Sequence, residues 1–124
     1  MKSVPTFTAT IYVGTKIRHA AACQSLELGI GWLHDYCNQV GFCVTVTTTK
    51  FIYTGAGGVG TTERGGEDGL IIGLINYPVF PVEPIVLRSH AIVIAEGLLR
   101  LYKQYRISVV FLDETILIGN DDSH

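Results

Sequence analysis

The sequence is short of charge. Of its 124 residues only 9 are Lys or Arg and 11 are Asp or Glu, so charged side chains make up 16%, where an ordinary soluble domain carries about 25%. The formal net charge of −2 supplies no basic field, which excludes a nucleic-acid polymer as a partner held by charge. The three cysteines, Cys23, Cys37 and Cys43, do not form the even set of a disulfide framework. No apolar run reaches the roughly 18 residues of a membrane span; the longest, around Ala91–Leu99, is interrupted by Glu96 and Arg100. Met1-Lys2 leads into a Thr-rich alternating pattern, not into an apolar leader, so a cytosolic location is expected and no membrane partner.

Chemistry-bearing motifs are equally scarce. No CxxC or HExxH spacing is present, so no metal site is expected. His34 and Cys37 stand three apart with Asp35 between them, and such a pair can activate a thiolate. Cys37 falls on an apolar stripe, however, and reads as a buried, inert thiol. Asp113-Glu114-Thr115 reads as a turn, not as an acid–base pair. The sequence therefore offers no catalytic set and no cofactor motif, and the expectation it supports is a binding protein that is not an enzyme.

What the sequence has in excess is apolar surface. Hydrophobic residues make up 48% and mean hydropathy is +0.35. A chain of this length holds one domain, here 1–124, and small domains have the most surface to solvate. The surplus points to burial against another chain, and a homo-oligomer is expected.

Periodicity predicts the elements. Thr6–Val13 alternates Phe7, Ala9, Ile11 and Val13 against Thr8, Thr10 and Tyr12, a half-buried strand. In Ala20–Val40 the residues Leu26, Ile30, Leu33, Cys37 and Val40 recur at helical spacing, weakened by Gly29 and Gly31 and closed by Gly41. Phe42–Tyr53 is rich in Val, Thr and aromatics, a second strand. Thr54–Gly69 holds seven glycines in sixteen positions. Leu70–Ile75 is a short apolar strand, expected to be central and covered on both faces. A stiff turn, Asn76–Pro81, leads to a second helix over Pro84–Tyr105. Ile107–Leu112 is a fourth strand, and Thr115–Ile118 adds a short fifth. The fold class is α+β, in the order β-α-β-β-α-β, with two helices on one face of a mainly antiparallel sheet.

Three features suit a small anionic ligand. The glycine segment can bring backbone N–H groups close to phosphate, with Arg64 inside it; the same segment is also what a plain hairpin connection looks like, and it matches neither the P-loop nor the dinucleotide fingerprint. Tyr77 and Phe80 in the turn can stack on a base or pack as core. Arg88 and Arg106 stand beside turns in a chain with few cations. Asn76 or Thr115 could supply a polar side chain for ligand hydroxyls. The expected ligand-binding set is Arg64, Asn76, Tyr77, Phe80, Arg88, Arg106 and Thr115, with an aromatic slot for a base and arginines for phosphate.

Ile11–Thr15 (IYVGT), Gly69–Pro81 (GLIIGLINYPVFP) and Val109–Gly119 (VVFLDETILIG) resemble small phage proteins, and among them the first type of phage anti-Thoeris protein. That resemblance implies a sponge in the host cytoplasm that binds a cyclic ADP-ribose-type signal, for some members also a cyclic oligonucleotide, without degrading it. It also implies an oligomer with the ligand near a subunit boundary. The element order also resembles the PII signal proteins, trimers that bind nucleotides between subunits, although Asn120-Asp121-Asp122 stands where those carry a basic segment. A phage structural or assembly protein with no small ligand accounts for the apolar surplus as well.

Overall fold

The computed structural model describes residues 1–16, 23–53 and 66–119. The elements run β1 (Thr8–Gly14), α1 (Leu26–Val40), β2 (Thr45–Phe51), β3 (Glu67–Ile75), α2 (Pro84–Leu101), β4 (Arg106–Phe111) and β5 (Thr115–Gly119). The five strands form one sheet in the order β2-β3-β1-β4-β5, and every neighbouring pair is antiparallel. The α+β order expected from periodicity is the order observed.

Alternation in the strands decides which face the helices cover. Ile11 pairs with Ile72 and Val109, and these with Val46 and Ile116, so one apolar row crosses the whole sheet. These residues join Leu33 of α1 and Leu87, Ile94 and Leu98 of α2 in one core. The other face presents Thr10, Tyr12, Thr47, Ile71, Val110 and Leu117, one strand register away. No described helix covers it. β3 is therefore interior but sheltered on one side only; the expected double cover fails because both helices pack on the same face. Among the described residues, no helix is long and apolar enough to cross a membrane.

The boundaries shift for local reasons. α1 begins at Leu26, not at Ala20, because Ser25 is its N-cap and accepts from the Leu28 N–H; before it, Gln24 is held in extended pairing with Thr15. Gly41 closes α1 at φ 71°, the left-handed conformation glycine adopts without strain. α2 stops at Leu101, not Tyr105: Lys103 turns to φ 53° and the chain reverses into β4. β2 is shorter than expected at both ends. β3 begins three residues earlier than expected and takes Glu67, Asp68 and Gly69 out of the glycine-rich segment.

Two close approaches set the helices. Gly97 of α2 faces the Trp32 ring of α1, which occupies the space a Cβ would need. Gly29 of α1 lies under the buried Tyr102 hydroxyl, with a Cβ position only 2.6 Å from that oxygen. The glycine that lowers helix propensity in α1 thus lets the C-terminal end of α2 anchor its first turn.

Candidate functional site

At the β1 C-terminal end of the sheet, polar groups gather on the uncovered face. Glu67 opens β3 opposite Phe51. Its carboxylate folds back over Gly14 and fills the volume a side chain there would occupy. One carboxylate oxygen accepts from the Lys16 N–H at 2.8 Å, and the other accepts from the Tyr53 hydroxyl at 2.9 Å. The Tyr53 phenol is pushed up to about 12, first by burial and then by its bond to Glu67 and the charges of Glu67 and Cys23. Gln104 donates to the Lys16 carbonyl at 2.7 Å, which fixes the strand exit that carries the Lys16 N–H. Thr15 donates through its hydroxyl to the Asp68 carbonyl at 2.7 Å, and Lys50 pairs with Asp68 at 2.5 Å.

Aromatic rings flank this carboxylate. Phe51 lies against Gly69, where no Cβ fits, and meets Tyr12 edge-on at 6.5 Å. Arg106 opens β4, the strand beside β1, at the same end and on the same face. A pinned carboxylate, a phenol, a cation two strands over across β1 and an aromatic wall suit a ligand that carries an ammonium, a carboxylate and a planar ring.

The sequence-predicted residues divide between the two ends of the sheet. Arg106 stands at the Glu67 end. Asn76, Tyr77, Phe80, Arg88 and Thr115 stand at the other. Asn76 is buried and spends its amide on the fold: it donates to the Pro5 carbonyl and accepts from the Val82 N–H, both at 2.9 Å. Tyr77 and Phe80 close the turn through a 3.0 Å backbone bond, and Phe80 is 67% exposed instead of packing under α2. Thr115 is exposed at the start of β5, opposite Val110. Arg88 is paired with Glu114 and Asp113 and lies 4.1 Å above the Phe111 ring. Arg64 and positions 54–65 of the glycine segment lie outside the described residues.

Tyr53 and Glu67 escaped the sequence reading. One closes a predicted strand and the other hid among glycines. The signal available was an acid directly before a buried strand, preceded by glycine, in a chain with few acids. A second cluster also went unread. Tyr36 of α1 and His90 of α2 share a hydrogen bond of 2.7 Å, Trp32 stacks on Tyr36, and Phe42 stacks on His90 at 4.2 Å.

The architecture defines a class first: a two-layer α+β domain with an antiparallel sheet open on one face. No family model and no curated protein sequence matches the chain. Two solved structures share the fold. A phage SAM lyase in complex with S-methyl-5'-thioadenosine superimposes with a TM-score of 0.75 at 14% identity, covering 98% of this chain and 95% of that one. A phage SAM lyase in the apo state gives 0.67 at 14% identity, covering 93% and 90%. At that identity the likeness is one of fold. It corrects the expectation of a non-enzyme, because the fold found here is one that carries a lyase in both neighbours. It also lends nothing to the anti-Thoeris resemblance; the phage-protein fold and the nucleoside-type ligand are what the neighbours share with that expectation.

Proposed function

We propose that this chain is a lyase acting on a sulfonium nucleoside of the S-adenosylmethionine class and releasing S-methyl-5'-thioadenosine. The observation that carries this reading is the fold of a lyase holding that thioether nucleoside, followed through 98% of the chain. The Glu67 cluster supports it chemically. Release of the thioether breaks the bond between sulfur and the four-carbon aminoacyl chain, and the bonding pair goes to sulfur. Without water as a reactant, the substrate's own carboxylate oxygen closes on the carbon that sulfur leaves, giving an amino-lactone. No proton is transferred, and the sulfonium and carboxylate charges cancel.

A step that annihilates charge runs faster where water is excluded. The chain's task is then to bind, fold up and desolvate the substrate. Glu67 holds the ammonium group, which keeps its charge throughout. Arg106 meets the substrate carboxylate at its outer oxygen, Phe51 and Tyr12 shield the sulfonium side, and Tyr53 acts as a positioning residue by holding Glu67. In an infected cell such cleavage withdraws the methyl donor from methyl-transfer reactions. This role stands in place of signal sequestration.

The test is incubation of purified protein with S-adenosylmethionine, followed by chromatography with mass detection. The expected products are S-methyl-5'-thioadenosine and a lactone lacking solvent oxygen in labelled water. Quantitative recovery of intact nucleoside after heat denaturation overturns the reading. Loss of one charge-assisted contact of about 1.5–3 kcal/mol predicts that Glu67→Gln lowers kcat/KM roughly 10- to 100-fold.

We further propose that the chain works as a homo-oligomer joined through the uncovered sheet face. Tyr12, Ile71, Val110 and Leu117 lie there together with no described helix over them, and the chain's apolar surplus supports the same reading.

A further inference from the structure

At the end of the sheet away from Glu67, a concavity of about 410 Å³ opens between the start of α2 and the β4–β5 turn. This is within the range of small-molecule sites, about 300–1,000 Å³. Phe7, Leu87 and Phe111 form its floor, and Ile85 and Leu112 stand along its rim at 68% and 66% exposure. An apolar floor with a few convergent polar groups is the usual make-up of a small-molecule site. The charged groups are Arg88 and Asp113, with the Thr8 hydroxyl a further polar group in the lining. The Arg88 side chain, 31% exposed, holds its guanidinium carbon 4.1 Å from the centre of the Phe111 ring, and its Nη2 is engaged by Glu114. Its Nη1 meets Asp113 only at 3.7 Å, and Asp113 is 77% exposed.

The charges select the ligand. Glu114, Arg88 and Asp113 together carry −1, so a lone carboxylate entering the cleft meets repulsion. A lone amine satisfies Asp113 but leaves the Arg88 edge as loosely paired as before. A zwitterion inserted between them extends an alternating row: Glu114, Arg88, ligand carboxylate, ligand ammonium, Asp113. We propose that this cleft binds a free α-amino acid with an apolar side chain, its carboxylate on Arg88, its ammonium on Asp113 and its side chain on the Phe7–Leu87–Phe111 floor. Thr8 and Gly14 bound β1, whose six steps separate this cleft from Glu67 by about 20 Å, so the site is independent of the proposed reaction centre.

The test uses three probes on the full chain, followed by amide NMR: L-leucine, 3-methylbutylamine, which lacks the carboxylate, and 4-methylpentanoate, which lacks the amine. L-leucine is expected to shift Phe7, Ile85 and Leu112 saturably, with an affinity at least about tenfold above either fragment. Asp113→Asn is expected to remove that preference. Leu112→Asp is expected to weaken leucine binding about tenfold, and it leaves the Arg88 pair intact should Arg88 variants fail to fold. Glu67→Gln is expected to leave leucine binding unchanged, which separates failure here from failure of the lyase reading. Equal binding of all three probes, a footprint at the Glu67 end, or no saturable shift overturns the proposal.

Discussion

A carboxylate is useful at a site only if its orientation is fixed before the ligand arrives. Glu67 is fixed from both sides, by the Lys16 N–H and by the Tyr53 hydroxyl, and Gly14 leaves it the volume it lies in. The cost falls on Tyr53, whose proton is retained to about 12 by burial and by the adjacent carboxylate. The folded value lies above the ordinary tyrosine value near 10, so the stability this phenol contributes is complete below that pH and is lost as pH rises through 12. Burial also raises Tyr36 and Tyr102, so the test is by difference: the wild-type ultraviolet titration minus that of Tyr53→Phe is expected to leave one step near 12, which moves part of the way down in Glu67→Gln. An ordinary midpoint for Tyr53 refutes the pinned arrangement. Residues of this kind were poorly legible in the sequence. Arg88 and Arg106 stood out by scarcity, but scarcity says nothing of partners, and Arg88 had taken Glu114 and Asp113 from a turn 25 residues and more downstream. Glu67 acquired its meaning only when β3 folded it over Gly14 of β1.

Elements were far more legible, because strand and helix periods are local. The alternation of Phe7–Val13 gave β1 its buried face, and the stripe through Leu26, Ile30 and Leu33 gave α1. What local pattern could not give was the end of an element fixed by a distant group. Tyr102, fully buried, donates to the Ser25 and Leu26 carbonyls at 2.8 and 3.2 Å and accepts from the Gly29 N–H at 2.7 Å. One phenol thus staples the first turn of α1 to the last of α2. Tyr102→Phe leaves those groups without their partner and is expected to cost about 1–3 kcal/mol, read as a lower urea midpoint at unchanged slope. The same helices meet at His90, where burial holds the imidazole below its usual 6.5. The folded state resists a proton that the unfolded state takes up, so stability rises with pH through the region around 6.5 and falls on acidification. His90→Gln is expected to flatten that part of the pH–stability curve; an unchanged slope in the variant removes His90 as its source.

At the scale of the whole molecule the scarcity of charge meets the one-sided sheet. Two helices satisfy one face; the other holds Tyr12, Ile71, Val110 and Leu117 in adjacent strands, with threonines between them and no described helix above. Away from Glu67 and Arg106 at its one end, this face is poor in charge, and a second copy offers the same apolar and hydroxyl groups in return. Leu117 is 62% exposed in the single chain and sits on β5, far from the Glu67 carboxylate on β3 across β1 and β4. Leu117→Arg therefore tests assembly three strands from Glu67, and because Leu117 lies diagonal to Arg106 across the β4–β5 pair, its activity is read beside that of Val110→Arg, four residues from Arg106 on the same face. An arginine at position 117 puts like charges across a self-facing interface, and their desolvation outweighs the burial of one leucine, itself about 1.5–3 kcal/mol. Light scattering on the eluting peak is expected to change from a multiple of 13.5 kDa to that single mass, with the far-ultraviolet spectrum unchanged. If the wild-type chain already elutes at the single mass, the uncovered face is a solvent face and the apolar surplus needs another explanation. If Leu117→Arg and Val110→Arg both give folded monomers that no longer cleave the sulfonium nucleoside, desolvation of the Glu67 end depends on the neighbouring copy. Full activity in either monomer means that one chain excludes water from the site by itself.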